Sequence, residues 1–316
     1  MRRAIRLAFA MQRLELRLLL GAVLLMAVAA LGIAWQMRVV RDEQLACIRT
    51  TPQPMEGSAV SPCTAQDDAL NSLDRISAFI KVGIMGTPIV LGLFLGVPLV
   101  AREVESRTAP LAWTLSRSRR RWLWQRGLPV LGALTLACIA AGVAGDVLAH
   151  APPWAEGTGP GFEDWFVRGP QVAVRGAAVA AIGLLTGAVV GRQLPAVLMG
   201  FVATIALFAS ATMVLDAWMA DAVEPVAVQE GQIVGGKIYG SGIREDATGE
   251  ILSDEAAYQK LGNALDFGIP TGYTQVYYLV PSRRYGDFVL YEGALFGIVA
   301  LAGMGATTWI VTRRSP

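Results

Sequence analysis

The chain has 316 residues, of which 54% are hydrophobic and only 16% are charged, and its mean hydropathy is +0.47. Because soluble domains carry about a quarter charged residues, this composition argues against a soluble globule. One histidine and three cysteines, without clustered spacing, exclude a Cys/His zinc site, so a metal site would need carboxylates. The net charge of +2 excludes little, since in a membrane protein the positions of the charges matter more than their sum.

Residues 1–15 place Ile5, Phe9 and Leu14 among several arginines. This pattern suits a short helix that lies in the headgroup region before the chain enters the membrane. A cluster of arginines that only sets the orientation of the first span explains the same residues equally well. Both interpretations stay open.

Six apolar stretches follow, each long enough for a bilayer core, which needs about 20 residues per helix. They are residues 16–37, 79–100, 128–149, 172–190, 194–219 and 288–311. The expected fold class is therefore an all-α polytopic membrane protein, with a six-span transmembrane domain over residues 16–316.

The charges between the stretches predict the orientation of the chain. Arginines concentrate before the first stretch, between the second and third, and after the last, whereas acidic residues are more frequent in residues 40–76 and 220–287. Arginine and lysine favour cytoplasmic loops. We therefore expect both termini to be cytoplasmic, the two acidic loops to form a small extracellular cap, and the chain to be a multi-pass protein of the plasma membrane.

The first outer loop contains Cys47 and Cys63, separated by several prolines and a glycine that favour turns. Since both cysteines face the oxidising side of the membrane in this topology, we predict a disulfide between them. Two unpaired thiols are the alternative.

The last outer loop contains an incomplete nucleotide-binding motif. Gly231, Gly236 and Lys237 match most of a phosphate-binding GxxxxGK loop, but Ile238 stands where a serine or threonine must reach magnesium. The segment has under 70 residues, enough for short helices or hairpins but hardly for an enzyme domain. No catalytic constellation emerges elsewhere in the sequence, so we expect a chain that is not itself an enzyme.

Glu292 lies about one turn inside the outer end of the sixth stretch. A carboxylate at membrane depth needs a partner or access to the interface. Its partner inside the bundle would be Arg175 or Lys81, or its side chain would point to the interface. A gating role and a structural role both stay open.

Residues 100–126, between the second and third stretches, contain the most distinctive pattern. A short polar helix is expected to begin near Arg102, and arginines followed by Trp122 and Trp124 mark the entry to the third span. The arginines and tryptophans alone are typical of any inner membrane interface. The order of residues goes further. It includes Arg102-Glu103, Glu105, Thr108, residues 111–114, Ser116 and Arg119 through Trp122.

This order resembles the inner loop of ABC-2-type transporter permeases, especially a group common in actinobacteria. Pro281, Ser282-Arg283, Tyr285 and Glu292 are similar to a second pattern of that family at the start of its last span. The sequence departs from the family at three positions. Arg107 stands where glycine is usual, and Leu115 and Tyr291 stand where glutamine is frequent.

The resemblance implies a permease subunit of an ATP-driven exporter that dimerises with a second copy of itself. It also implies that two copies of a separate ATPase bind ATP and magnesium, while this chain binds no cofactor and no nucleic acid. Residues 101–113 would be the coupling helix, with Glu103, Glu105 and Arg107 as exposed contacts and Thr108 and Trp113 as anchors. The implied ATPase-coupling residues are Arg102, Glu103, Glu105, Arg107, Thr108 and Trp113, and the implied gate residues are Tyr285 and Glu292. The alternative function is a polytopic membrane enzyme or accessory factor without an ATPase partner.

Overall fold

The computed structural model describes residues 13–50, 63–108, 118–151, 162, 164–228, 236–262 and 269–313. The helices within these residues are α1 Arg13–Thr50, α2 Thr64–Glu105, α3 Arg119–Ala149, α4 Gln171–Val190, α5 Gln193–Ala220, α6 Asp254–Leu261 and α7 Tyr285–Arg313. All except α6 are long and apolar enough to cross a membrane, so the predicted six spans are present in the described part of the chain. The expected helix over residues 1–15 lies outside the described residues except for the first turn of α1.

The chain divides into two compact units. The helical unit contains residues 1–152, 166–211 and 292–316, and the sheet unit contains residues 153–165 and 212–291. Helices α5 and α7 therefore contribute residues to both units.

Within the helical unit, α2 packs very closely against α4. A Cβ atom added at Gly96 would lie only 2.7 Å from the carbonyl oxygen of Ala180, so only glycine fits this contact. Small residues let helix backbones approach in this way, and close packing is a main source of helix association in lipid. The contact places α4, and with it Arg175, against the centre of the unit.

The outer surface of the helical unit is apolar. Leu25, Phe79 and Leu301 are each more than two thirds exposed, at 71%, 80% and 73%. Such a surface is unstable in water but suits contact with acyl chains, and the helices satisfy their own backbone hydrogen bonds. The chain is therefore a multi-pass membrane protein.

Helices α1 and α2 extend well beyond the predicted spans 16–37 and 79–100. At 38 and 42 residues they are about 57 and 63 Å long, against a bilayer core of about 30 Å. Most of the predicted loop 40–76 is therefore helical. The predicted disulfide between Cys47 and Cys63 is present and joins the end of α1 to the start of α2.

The sheet unit corrects the expected all-α class. Four antiparallel strands, β1 Glu224–Val228, β2 Gly236–Glu245, β3 Ile251–Ser253 and β4 Tyr273–Pro281, form a sheet of order β1-β4-β2-β3. The strand β4 is rich in tyrosine and valine, residue types that favour strands. Val276, Leu279 and Val280 are buried, and Val280 packs in a hydrophobic cluster that contains Leu215 and Phe288.

The carboxylate of Glu245, at the end of β2, has three hydrogen-bond donors around it. It accepts hydrogen bonds from the Thr248 hydroxyl at 2.8 Å, the Lys260 ammonium at 3.2 Å and the Tyr273 hydroxyl at 3.3 Å. The bond from Thr248, followed by that from Lys260, holds the pKa of Glu245 below its usual value. The same contact with Glu245 raises the pKa of Lys260. Helix α6 is thereby joined to β2.

Candidate functional site

The segment predicted to be a coupling helix over residues 101–113 is not a separate helix where it is described. Residues 101–105 continue α2 without a break, and the helix ends at Glu105, with Ser106 as its C-cap. Arg107 then adopts the left-handed conformation, with φ of 55°. Glycine adopts this conformation most readily. Trp113 lies outside the described residues.

Glu103 was expected to be exposed, and that expectation is wrong. Its side chain is 10% exposed and forms an ion pair with Arg126 near the start of α3. It also accepts a hydrogen bond from the Thr108 hydroxyl at 2.8 Å. A buried carboxylate requires partners of this kind, since an unpaired one would lose its hydration without compensation. Glu103 therefore joins α2 to α3, and Thr108 anchors the following turn to the same carboxylate.

Glu105 is exposed, as predicted, but it also has a partner within the chain. Its Oε2 accepts the backbone N–H of Gln193, the first residue of α5, at 3.0 Å. The first N–H groups of a helix have no partner inside the helix, and a carboxylate there also interacts favourably with the helix dipole. Glu105 therefore caps α5 from the end of α2.

Arg102 and Arg107 differ from the two glutamates. Both side chains are exposed, and neither forms an ion pair with another residue in the described ranges. The end of α2 therefore directs its carboxylates toward neighbouring helices and its guanidinium groups toward solvent.

The second predicted position, Glu292 on α7, is paired with Arg175 on α4. Both side chains are only 2% exposed, and the Arg175 Nη2 lies 2.5 Å from the Glu292 Oε1. The Arg175 Nε donates to the same oxygen at 2.6 Å. The sequence left three possibilities for Glu292: a pair with Arg175, a pair with Lys81, or a side chain that points to the membrane interface. In the structure Glu292 pairs with Arg175.

Arg175 has two further contacts that the sequence did not indicate. Its Nη1 donates to the carbonyl oxygen of Phe166 at 2.6 Å, and its guanidinium lies 5.2 Å from the centre of the Phe166 ring. Phe166 belongs to a single turn of 3-10 helix, Trp165–Val167. The sequence of this turn contains no recognisable motif that would have identified it as a partner of Arg175.

The turn that contains Phe166 is held to α3. The Gly169 N–H donates to the Gly142 carbonyl at 3.2 Å, and a Cβ atom at Gly142 would lie 2.2 Å from the Gly169 oxygen. Arg168 Nε donates to Asp146 at 2.9 Å. The close glycine contact and the ion pair therefore place the Phe166 carbonyl where Arg175 reaches it.

Tyr285, the other predicted gate residue, lies in an aromatic cluster of the sheet unit. Its ring centre is 5.1 Å from that of Trp165 and 5.7 Å from that of Phe162, in edge-to-face arrangements. Aromatic pairs favour this geometry. The cluster fixes the start of α7 within the sheet unit.

Lys237 of the incomplete nucleotide motif lies in β2 and has a structural partner. Its ammonium group donates to Asp216 at 2.5 Å and lies 5.2 Å from the ring centre of Tyr239. Partial burial by itself would lower the pKa of Lys237, but the contacts with Asp216 and Tyr239 outweigh it and raise the pKa. Gly231 lies outside the described residues. A lysine within a strand and already paired does not have the strand-loop-helix setting of a phosphate loop.

In a comparison with protein families, residues 18–219 match the family described as ABC-2 membrane transporter related. The matched region contains the end of α2 and Arg175, and it stops before Tyr285 and Glu292. No curated protein and no solved structure matches the chain.

Proposed function

Because the chain belongs to the ABC-2 membrane transporter related family and is therefore an ABC-type permease, we propose that it is the membrane-spanning subunit of an exporter driven by a separate ATPase. Two copies of the chain would form the substrate pathway in the plasma membrane. ATP and magnesium would bind to the ATPase partner. The incomplete phosphate motif supports this division, since its lysine is paired with Asp216.

The proposed orientation follows from the arginines. Both termini and the end of α2 would face the cytoplasm, and the disulfide and the sheet unit would face outward. The disulfide supports this orientation, because disulfides persist on the oxidising side of a membrane.

The observation that carries the proposal is the division of charges at the end of α2. Arg102 and Arg107 would contact the ATPase, while Glu103 and Glu105 transmit its movement to α3 and α5. A displacement of this end would pass into the membrane-spanning part of α2, because the two belong to one continuous helix. The docking surface on the ATPase would accordingly be acidic.

The proposed gate lies at the start of α7. Tyr285 and Glu292 would move with this helix, and the buried pair of Glu292 with Arg175 would hold α7 against α4 in one state of the transport cycle. A change between two discrete arrangements of packed helices is the usual basis of such a switch.

The test is retention of the ATPase. We would co-express the tagged chain with a candidate ABC ATPase subunit from the same organism and measure how much ATPase co-purifies. The double variant Arg102→Gln/Arg107→Gln should lose most of the ATPase. A matched control, Arg120→Gln/Arg121→Gln, removes two exposed arginines from the start of α3 and should retain it.

Two results would contradict the proposal. If the unmodified chain never retains an ATPase, the chain does not act with one. If both double variants lose the ATPase equally, total charge rather than the position of Arg102 and Arg107 governs the contact. Stimulation of ATP hydrolysis by the reconstituted chain gives a second, independent measurement.

A further inference from the structure

We propose that a cleft in the sheet unit binds an organic ammonium ion that carries an apolar or aromatic group. The cleft has a volume of about 320 Å³ and lies where α5 ends and α7 begins. It is lined by Trp218, Asp221, Arg284, Asp287, Phe288 and Tyr291. Small-molecule sites begin at about this size, and they combine apolar walls with a few polar groups. Binding to the cleft requires this chain alone and no ATPase.

Aromatic side chains form the apolar wall of the cleft. The ring centres of Trp218 and Tyr291 lie 5.4 Å apart at an angle of 67°, and those of Phe288 and Tyr291 lie 5.8 Å apart at 88°. Phe288 is buried and packs against Tyr291, whereas Trp218 and Tyr291 are 41% and 50% exposed. Both residues therefore keep surface in the cleft that a ligand can contact. An organic cation is attracted to the face of tryptophan or tyrosine when it lies within about 6 Å of the ring centre.

The charge of the cleft favours a cation. Arg284 is paired with Glu224 at 2.9 Å, and Arg283 contacts the same carboxylate. Asp221 and Asp287 are exposed, and within the described ranges neither forms an ion pair or a side-chain hydrogen bond. The charged side chains that line the cleft are therefore two carboxylates, Asp221 and Asp287, and one guanidinium, Arg284, which leaves a net charge of −1.

Asp221 does not stabilise helix α5, which precedes it. Helix α5 ends at Ala220, so the carboxylate lies at the negative end of the helix dipole, where an anion is unfavourable. Asp287 is different, because it lies in the first turn of α7, where an anion is favourable. A bound cation would offset the unfavourable position of Asp221.

An inorganic cation fits the cleft less well than an organic one. Among the residues that the structure describes, no group of three acidic, histidine or cysteine side chains is close enough to hold a metal ion. A metal ion would also leave the aromatic wall without a role. An ammonium group on an apolar body uses both the carboxylates and the rings.

Two sources supply this chemistry: a free organic cation, or the choline or ethanolamine headgroup of a lipid. Tryptophan and tyrosine at the ends of membrane helices commonly lie at headgroup depth, which suits the lipid. The cationic group is the same in both cases, so one set of variants tests the site and the choice of probe identifies the source.

The binding experiment uses the full chain in uncharged maltoside micelles, titrated by calorimetry with phenyltrimethylammonium. Its neutral isostere, tert-butylbenzene, measures the contribution of the charge, and empty micelles provide the baseline. Asp221→Asn/Asp287→Asn should weaken binding about tenfold or more, and Trp218→Ala should weaken it several-fold, with partial recovery in Trp218→Phe. The control Glu250→Gln/Glu255→Gln removes two exposed carboxylates of the same unit that do not line the cleft, and it should bind as the unmodified chain does.

Competition with monomeric dihexanoylphosphatidylcholine and dihexanoylphosphatidylglycerol distinguishes a lipid headgroup from a free organic cation as the ligand. Displacement of phenyltrimethylammonium by the choline lipid but not by the glycerol lipid assigns the site to a headgroup, whereas displacement by neither assigns it to a free cation. Absence of saturable binding at millimolar concentrations would overturn the proposal. Equal binding by the Asp221→Asn single variant, the aspartate double variant and the control, each shown by size exclusion to be folded, would overturn it as well.

Discussion

Replacing Glu292 with glutamine should strongly destabilise the helical unit. The substitution keeps the shape of the side chain but leaves the guanidinium of Arg175, which is 2% exposed, without its counterion. The amide oxygen of the glutamine and the carbonyl oxygen and ring of Phe166 remain near the guanidinium, but none of them carries a full negative charge. Removing one partner of a buried ion pair typically costs about 3–5 kcal/mol.

Replacing both partners should cost much less. In Arg175→Met/Glu292→Leu the two charges are gone and apolar side chains of similar size fill the space, a change that is often neutral or even stabilising by about 1–4 kcal/mol. The single variants Arg175→Met and Glu292→Leu, together with this double variant, form a thermodynamic cycle that isolates the interaction between the two side chains. At about 2–3 °C per kcal/mol, Glu292→Gln should lower the melting temperature in detergent by roughly 6–15 °C.

The measurement is thermal unfolding of the purified chain. Its readout is the fraction of monodisperse protein that is recovered after heating. If Glu292→Gln melts within about one degree of the unmodified chain, or if the double variant is as unstable as the sum of the singles, the pair does not hold α7 to α4. Transport by the double variant then separates the two roles of Glu292. A stable double variant that fails to transport supports a gate, and one that transports supports a purely structural pair.

Three further outcomes follow from the contacts described above. Glu105→Ala removes the cap of α5 and should cost about 0.5–2 kcal/mol, measured by chemical unfolding against the conservative Glu105→Gln. Gly142→Ala places a methyl group 2.2 Å from a carbonyl oxygen and should cost about 1–3 kcal/mol, whereas Gly132→Ala on the same helix, with nothing within 4 Å, should be neutral or slightly stabilising in the same assay. The lowered pKa of Glu245 means that its hydrogen bonds stabilise the folded sheet above the usual glutamate pKa of about 4.3 and that this contribution is lost as the pH falls through the lowered value. Hydrogen exchange of β2 and β3 should show that loss, and Glu245→Gln should abolish it.

The six spans could be predicted because length and apolarity are local properties of each stretch. The same reasoning underestimated α1 and α2, whose ends are polar helices outside the apolar windows. A hydropathy argument detects where lipid contacts a helix, but it does not detect where the helix ends. The disulfide could be predicted from the sequence because it depends only on two cysteines and a short intervening loop.

The sheet and the partners of the charged residues depend on contacts between distant parts of the chain. The strand β1 pairs with β4, so that Glu224 lies opposite Leu279, and no local pattern specifies this pairing. Glu103 lies among many arginines in sequence, and composition could not identify Arg126 as its partner. For Glu292, by contrast, few cations lie at membrane depth, which is why Arg175 was among the candidates.

The structure separates residues that the sequence grouped in one role. Six positions near the end of α2 were interpreted together as an ATPase contact, but Glu103 and Glu105 face other helices of the same chain. In the proposed mechanism this arrangement is useful, because a contact made by Arg102 and Arg107 reaches α3 and α5 through two carboxylates rather than through a flexible loop. Loss of transport in a Glu103 variant therefore does not identify a docking residue. Only a variant that loses the ATPase while these two carboxylate contacts remain intact distinguishes the surface that binds from the connections that transmit.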